Sequence, residues 1–160
     1  MLGPQDLNRF IKENGLDAQL VPVAEGHTSD LAADSLKIEL EAIAKTVVFI
    51  NDGGMPVLAI VRGAVRIRQG EFTRILGMKK LRLATPEEVL TFTGFPAGGV
   101  SPIANLCRKN VFMDEELLKL SVVYAGGGSE KYILRAKPQD ILVKSGATLM
   151  QIPVLGLAPR

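Results

Sequence analysis

The sequence is short of the residues on which many metal sites and covalent catalysts depend. Its 160 residues contain one cysteine, one histidine and no tryptophan. A single cysteine excludes an internal disulfide and fits a reducing compartment such as the cytoplasm. One histidine and one cysteine cannot supply the ligand spacing of a zinc site. Nothing in the sequence indicates another metal or a cofactor.

Long apolar runs are missing as well. The longest span about five to eight residues, far fewer than the roughly twenty that a membrane helix needs. The first residues, Met1–Asp6, lack the basic region and apolar core of a signal peptide. The composition, 47% hydrophobic and 22% charged, is typical of a globular protein. We therefore expect one cytoplasmic domain over residues 1–160, without a membrane partner.

The net charge gives little information, but the basic residues are unevenly distributed along the chain. The formal charge is +2, too small to indicate a nucleic-acid partner. One stretch nevertheless carries seven basic residues against a single acidic one, Glu71. Such an excess could steer a polyanion such as tRNA, or it could be a solvated surface, and the sequence leaves both open. The basic residues are Arg62, Arg66, Arg68, Arg74, Lys79, Lys80 and Arg82.

Local patterns predict a mixed α+β fold. Glu41–Asn51 and Met55–Val61 read as two strands around an Asn-Asp-Gly-Gly turn, and both faces of the pair are apolar. We therefore expect central strands covered on each side. With short helices around them, the strands predict a mostly antiparallel, strongly curved mixed sheet. Helices are predicted at 4–14, from 28, at 69–76, 85–94, 115–118 and 138–146, and further strands at 18–23, 81–84, 110–113, 121–125, 130–135 and 148–152.

Lys45 lies at the start of the first of these central strands, in Ile43-Ala44-Lys45-Thr46-Val47-Val48-Phe49. An unpaired ammonium is costly to bury, by several kcal/mol as an order of magnitude. The side chain must therefore either extend to solvent or meet a partner inside the protein.

A stiff loop is predicted between Gly94 and Pro102, after a helix that begins with a capping box at Thr85 and Glu88. Its glycines permit close approach to the main chain, and Pro96 restricts the backbone. Bare amide groups in such a loop can hold an anion or an oxyanion. A tight structural connection explains the same composition.

Other candidate nucleophiles and bases are weak. His27 precedes a helix start, where a capping or surface role explains it as well as catalysis does. Cys107 beside Arg108 reads as a buried thiol, with nucleophilic activation as the alternative. Ser101 does not lie in a Gly-x-Ser-x-Gly elbow.

Several motifs together resemble one family. The Lys45 strand, Leu81–Val89, the loop Thr93–Pro102 and Val111–Leu118 look like the YbaK family, the editing domain that also occurs inserted in bacterial prolyl-tRNA synthetases. The resemblance covers about residues 25–152. It implies hydrolysis, in trans, of tRNA that carries a small wrong amino acid, typically Ala or Cys on tRNA for proline. It also implies tRNA and an aminoacyl-tRNA synthetase as partners.

The resemblance also implies functional residues. The family's lysine falls on Lys45 and its glycine-x-x-x-proline loop on Gly98 to Pro102. We expect the Gly98 and Gly99 amides to face the ester carbonyl and Lys45 to hold the terminal phosphate or ribose. Asp114 is a weaker candidate, because helix capping explains it equally well. The predicted substrate-binding residues are Thr46, Val100, Ser101, Pro102 and Asp114, and the predicted tRNA contacts are Arg62, Arg66, Arg68, Lys79 and Lys80.

The chain departs from the family pattern near the last hairpin. Some members have a histidine there, where this chain has Gly127-Gly128-Ser129-Glu130-Lys131, so the substrate preference of those members does not carry over. Two other functions fit the sequence: a non-catalytic module that binds tRNA or protein, and a hydrolase of small esters or thioesters.

Overall fold

A computed structural model describes residues 1–24, 26 and 28–156. Within these ranges the fold combines short helices with short strands, and no helix there is long and apolar enough to cross a bilayer. The α-helices are α1 Pro4–Glu13, α2 Ser29–Leu36, α3 Gln69–Ile75, α4 Pro86–Thr93 and α5 Pro138–Ser145, and 3-10 turns lie at Leu40–Ala42 and Glu115–Lys119. The strands are β1 Gln19–Pro22, β2 Ala44–Asn51, β3 Pro56–Arg62, β4 Arg66–Ile67, β5 Leu81–Leu83, β6 Val111–Asp114, β7 Val123–Gly126, β8 Tyr132–Ala136, β9 Thr148–Met150 and β10 Val154–Leu155.

The ends of the helices follow local chemistry. The Thr28 hydroxyl accepts the Leu31 amide at the start of α2. Thr85 and Glu88 form the predicted capping box of α4, because each side chain accepts the other's backbone amide. Gly94 ends α4 with φ +83°, a left-handed conformation that glycine adopts without strain. The glycine loop therefore leaves a helix C-terminus, as predicted.

The strands form three separate sheets. The largest has the order β5-β2-β3-β6-β9, in which β3, β6 and β9 are parallel and the other pairs antiparallel. A second, antiparallel sheet has the order β1-β8-β7, and β10 pairs with β4. The predicted α+β class with mostly antiparallel pairing is confirmed, but its strands are divided among three sheets.

A backbone bridge joins the two larger sheets. Ile43, just before β2, forms a parallel bridge with Tyr124 in β7. The Ile43 carbonyl also accepts the Gly63 amide at 2.7 Å. The first residues of β2 therefore lie where the large sheet, β7 and the β3–β4 turn come together.

Apolar layers cover both faces of β2 and β3, as predicted. Val48, Leu58 and Ile60 pack into one cluster of buried side chains, while Phe49 and Val57 pack into another. In the second cluster the ring of Phe72 from α3 lies 6.1 Å from Phe49 and 6.0 Å from Phe112. The buried rings fix α3 against the sheet.

Differences from the predicted elements have local causes. A 3-10 turn occupies Leu40–Ala42, so β2 begins at Ala44 rather than Glu41. The sequence predicts a last strand at 148–152 and none after it. Instead β10 pairs with β4, and the Pro153 carbonyl accepts the Arg68 amide at 2.9 Å.

Phe72→Ala should destabilise the protein by about 3–5 kcal/mol, because it leaves a cavity between two other aromatic rings. Urea unfolding followed by circular dichroism measures this change. Ile75→Ala in the same helix is the matched control, since Ile75 is 52% exposed, and should change stability by less than about 1 kcal/mol. Equal losses in the two variants would contradict the packing described for α3.

Candidate active site

A cavity of about 380 Å³ opens at the junction of the two larger sheets. Its walls come from the start of α2, the start of β2, the glycine loop and the end of β7. Within the described part of the chain only two of the lining residues are charged. The lining residues are Gly26, Thr28, Ser29, Asp30, Ala32, Ile43, Ala44, Lys45, Thr46, Gly63, Gly98, Val100, Ala125, Gly126 and Ile133.

Lys45 is held at the wall of this cavity. Its Nζ donates a hydrogen bond to the Val65 carbonyl oxygen at 2.5 Å, which fixes a side chain that is otherwise flexible. Burial lowers the pKa of Lys45, and repulsion from Arg66 lowers it further, whereas Asp30 raises it. Of the two alternatives left open by the sequence, the half-buried ammonium with an internal partner is the one found.

Thr46 also lines the cavity, but its hydroxyl group is not exposed there. Thr46 Oγ1 is buried and has no hydrogen-bond partner among the residues described. A buried hydroxyl without a partner costs stability, of the order of 1–3 kcal/mol. Because Oγ1 has almost no accessible surface, it is not available to a ligand unless the cavity wall rearranges.

The glycine loop contributes Gly98 and Val100 to the cavity. Gly98 has φ +87°, a conformation that favours glycine. In the described structure the amides of Gly98 and Val100 have no acceptor. The expectation of a free Gly99 amide is wrong, because this amide donates to the Pro96 carbonyl at 3.0 Å and closes a turn. Gly99 also does not line the cavity.

Glycines let the loop pack closely against the end of β7. An added Cβ at Gly126 would overlap the Val100 carbonyl oxygen, and one at Gly99 would lie 2.7 Å from the Ser129 backbone. The Gly128 amide donates to the Gly99 carbonyl at 2.9 Å. This packing of two main chains builds one wall of the cavity.

Gly63 also allows two segments to pack closely at the cavity, in this case the β3–β4 turn and the start of α2. A Cβ there would lie 2.8 Å from the Ser29 Cβ, so the β3–β4 turn can touch the first residue of α2. The start of α2 is thereby held at the cavity. The sequence predicted a helix start at Thr28–Asp30, within a segment that also fits the family resemblance, but no role in the site. Gly63 and Gly126 were missed, although glycine at a strand end is a signal of close approach.

Three predicted substrate-binding residues lie outside the cavity lining. Ser101 is buried, and its Oγ accepts the Ile103 amide at 3.3 Å. Pro102 is buried beside it. Asp114 is 1% exposed and accepts the Glu116 amide, and burial raises its pKa. Ser101 and Pro102 brace the loop, and for Asp114 the capping alternative is the one found.

The predicted tRNA-contacting residues differ in exposure. Arg66, Arg68, Lys79 and Lys80 are exposed, and Arg66 lies near enough to Lys45 to lower its pKa. Arg62 is half-buried, and its Nε is buried without an acceptor in the described ranges. His27 lies outside the residues that the structure describes.

Comparison with known proteins places the chain in a family. The family model for the aminoacyl-tRNA editing domain matches residues 23–143. The chain belongs to the aminoacyl-tRNA editing domain family. This confirms the resemblance on which the sequence analysis relied.

The chain matches part of some long proteins and most of a short one. A proline--tRNA ligase of Nitratidesulfovibrio vulgaris strain DP4 is 37% identical over 142 residues, 88% of this chain and 25% of the ligase. The chain thus spans about a quarter of such ligases. The "Putative Cys-tRNA(Pro)/Cys-tRNA(Cys) deacylase EbsC" of Enterococcus faecalis is 26% identical over 130 residues, 81% of this chain and 79% of that protein.

A solved structure matches over nearly the whole chain. It is described as the crystal structure of "a putative trans-editing enzyme for prolyl tRNA synthetase". The TM-score is 0.83 with 32% identity, and the match covers 94% of this chain and 96% of that one. A free-standing protein of the same family therefore has the same fold.

Gly126→Ala should destabilise the protein by about 1–3 kcal/mol, because the new methyl group would displace the Val100 carbonyl and deform the cavity wall. Thermal unfolding measures the change. Gly70→Ala is the control, since Gly70 lies in α3 with no atom within 4 Å of an added Cβ, and should be neutral or stabilising by up to about 1 kcal/mol. An unchanged melting temperature for Gly126→Ala would refute this account of the wall.

Proposed function

We propose that the protein is a trans-acting aminoacyl-tRNA deacylase, which hydrolyses the ester between a small wrong amino acid and the 3′-terminal ribose of tRNA. The observation that carries this proposal is that Lys45 and Gly98 line one small cavity in a chain of the editing family. We further propose that residues 1–160 act as one domain in the cytoplasm, where tRNA is charged.

The reaction needs little covalent chemistry from the protein. Water attacks the ester carbonyl carbon, the carbonyl oxygen becomes an oxyanion, and the bond to the ribose oxygen breaks while that oxygen gains a proton. Gly98 and Val100 have amides without an acceptor in the described structure, and amides of this kind stabilise an oxyanion. Because the ester is already activated, positioning and oxyanion stabilisation can suffice.

Lys45 positions the tRNA end in this proposal. Its ammonium is anchored by the Val65 carbonyl and attracts the terminal phosphate or the ribose oxygens. Partial burial strengthens such an interaction, because less water screens it. Thr46 lines the same cavity next to Lys45, and we propose that it contacts the substrate through atoms other than its buried Oγ1.

The cavity favours a small acyl group. Apolar side chains line part of it, among them Ala32, Ile43, Ala125 and Ile133. A pocket excludes larger side chains by steric clash more effectively than it rejects smaller ones by weak binding. Alanine or cysteine on tRNA for proline is the substrate that we propose, in keeping with relatives named as proline--tRNA ligase and as a Cys-tRNA(Pro) deacylase. A prolyl-tRNA synthetase is the partner that we propose.

The exposed basic residues extend away from this site. Arg66 lies near Lys45. Arg68, Lys79 and Lys80 are exposed as well, and both lysines line one surface pocket with Gln69, the residue after Arg68. Arg82 is engaged with Glu88 through hydrogen bonds of 2.7 and 2.8 Å. The Arg82 guanidinium holds the pKa of Glu88 at about 2, so this arginine has a partner already.

A panel of mischarged tRNAs tests the proposed activity. We expect release of Ala or Cys from tRNA for proline, and a loss of about 10²–10³-fold in kcat/KM for Lys45→Ala, because the anchor of the tRNA end is removed. Gel separation of charged and uncharged tRNA measures the rate. Lys109→Ala, an exposed lysine outside the cavity lining, is the control. Binding without turnover would favour a tRNA-binding module, and turnover of free esters would favour a general esterase.

Salt dependence tests the proposed tRNA surface. The double variant Lys79→Gln, Lys80→Gln should weaken tRNA binding and reduce the slope of log K against log salt by about 1.4–1.8, since two phosphate contacts are lost. Fluorescence anisotropy at several salt concentrations gives this slope. Lys12→Gln, Lys109→Gln removes the same charge from exposed positions elsewhere and should leave the slope unchanged. Identical slopes in the two double variants would exclude this surface.

A further inference from the structure

One charged group of the cavity has no role in the mechanism above. The lining has two charged residues within the described ranges, Lys45 and Asp30. Lys45 donates to the Val65 carbonyl and is assigned to the tRNA end. The carboxylate of Asp30 remains to be explained.

Asp30 lies in the first turn of α2, where a negative charge suits the helix dipole, but nothing in the described structure pairs with its carboxylate. It is the second residue of α2, but the cap hydrogen bond of this helix is made by Thr28, whose hydroxyl accepts the Leu31 amide at 3.2 Å. Asp30 is exposed and, among the residues described, forms no ion pair and no side-chain hydrogen bond. Its carboxylate is near enough to Lys45 to favour the ammonium form, yet the two groups do not pair directly.

Asp30 is also held in place. Gly63 allows the β3–β4 turn to touch Ser29, the residue before Asp30. The start of α2 therefore has a fixed position relative to Lys45 and to the glycine loop. A carboxylate on an element positioned at the cavity wall, with no partner among the described residues, is available to a cationic group of the substrate.

We propose that Asp30 binds the α-ammonium group of the aminoacyl ester, so that the enzyme requires a free amino group on its substrate. This inference rests on the proposed deacylase function. For an alanyl ester the ammonium is the only charge on the acyl group, and a charge-assisted hydrogen bond to a carboxylate is its strongest available contact.

Two opposite charges then orient the substrate. The phosphate and ribose end goes towards Lys45 and the ammonium towards Asp30, with the carbonyl between them at Gly98. An N-acylated amino acid lacks the ammonium and is larger, so the enzyme should not hydrolyse its ester. A hydroxy acid of the same size loses the charge alone, so its ester is a poor substrate.

Alanyl-tRNA and lactyl-tRNA test this inference, because lactate replaces the ammonium of alanine with a hydroxyl at the same size. After division by the spontaneous hydrolysis rate of the same ester, which corrects for the activating effect of the ammonium, the wild-type protein should show about a ten- to hundredfold higher kcat/KM for alanyl-tRNA. Asp30→Asn should lower the rate for alanyl-tRNA to nearly that for lactyl-tRNA and leave the lactyl rate unchanged. Glu39→Gln, an equal charge change at an exposed residue outside the lining, should keep the wild-type ratio.

The outcomes separate this inference from the function on which it rests. Equal loss on both substrates in Asp30→Asn indicates only a structural role at the helix start, and no loss indicates no role; either result overturns the inference but leaves deacylation standing. If Asp30→Asn does not fold, the wild-type ratio decides, since equal hydrolysis of alanyl-, lactyl- and N-acetylalanyl-tRNA also overturns it. A wild-type protein that hydrolyses none of them overturns the proposed function as well.

Discussion

The contact between two main chains at Gly126 and Val100 is the constraint on which the cavity depends. No residue with a Cβ fits at Gly126 without moving the Val100 carbonyl, so the end of β7 and the glycine loop form one continuous wall. The hydrogen bond from the Gly128 amide to the Gly99 carbonyl fixes the same two segments. The amides of Gly98 and Val100 keep their positions because the atoms around them cannot relax. A site that stabilises charge in a transition state needs such preorganisation.

The main-chain packing also explains why the loop divides its residues between two roles. Gly99 closes a turn through its amide and accepts from Gly128 through its carbonyl, while Ser101 and Pro102 are buried beneath. Only Gly98 and Val100 reach the cavity. A glycine-rich loop is thus mostly scaffold, and its few ligand-facing groups are available because the others are satisfied internally.

The sequence was sufficient to predict the parts of the fold that depend on local interactions. The capping box of α4, the glycine that ends it, and the two-sided apolar pattern of β2 and β3 appear as expected. The pairing of β10 with β4 was not predictable, because two-residue strands carry no periodicity. The free amide expected at Gly99 was wrong for a related reason: which amide of a turn is satisfied depends on φ and ψ, and composition does not specify them.

The same limit applies to the charged groups of the site. The strand pattern marked Lys45 as unusual, but its partner is a backbone carbonyl twenty residues away in sequence, Val65, and no side-chain motif encodes such a contact. Asp30 could not be singled out from the sequence, since acidic residues are common in the first turn of a helix. It became notable only when Thr28 proved to be the cap and the cavity proved to include Asp30.

Burial of the charged Lys45 side chain makes folding less favourable, which is consistent with a functional role for this residue. Its pKa is lower in the folded protein than the ordinary value of 10.5, chiefly because of burial. Below the lowered pKa the lysine is charged in both states, and folding must bury part of that charge. As pH rises from the lowered pKa towards 10.5, the unfolded chain binds more protons than the folded one, so stability increases. Below the lowered pKa, the fold therefore keeps a charged lysine at the cavity wall against its own stability. A partly buried ammonium at a cavity wall is what a binding site for an anionic group needs before its ligand arrives, because the ligand supplies the interaction that burial removes.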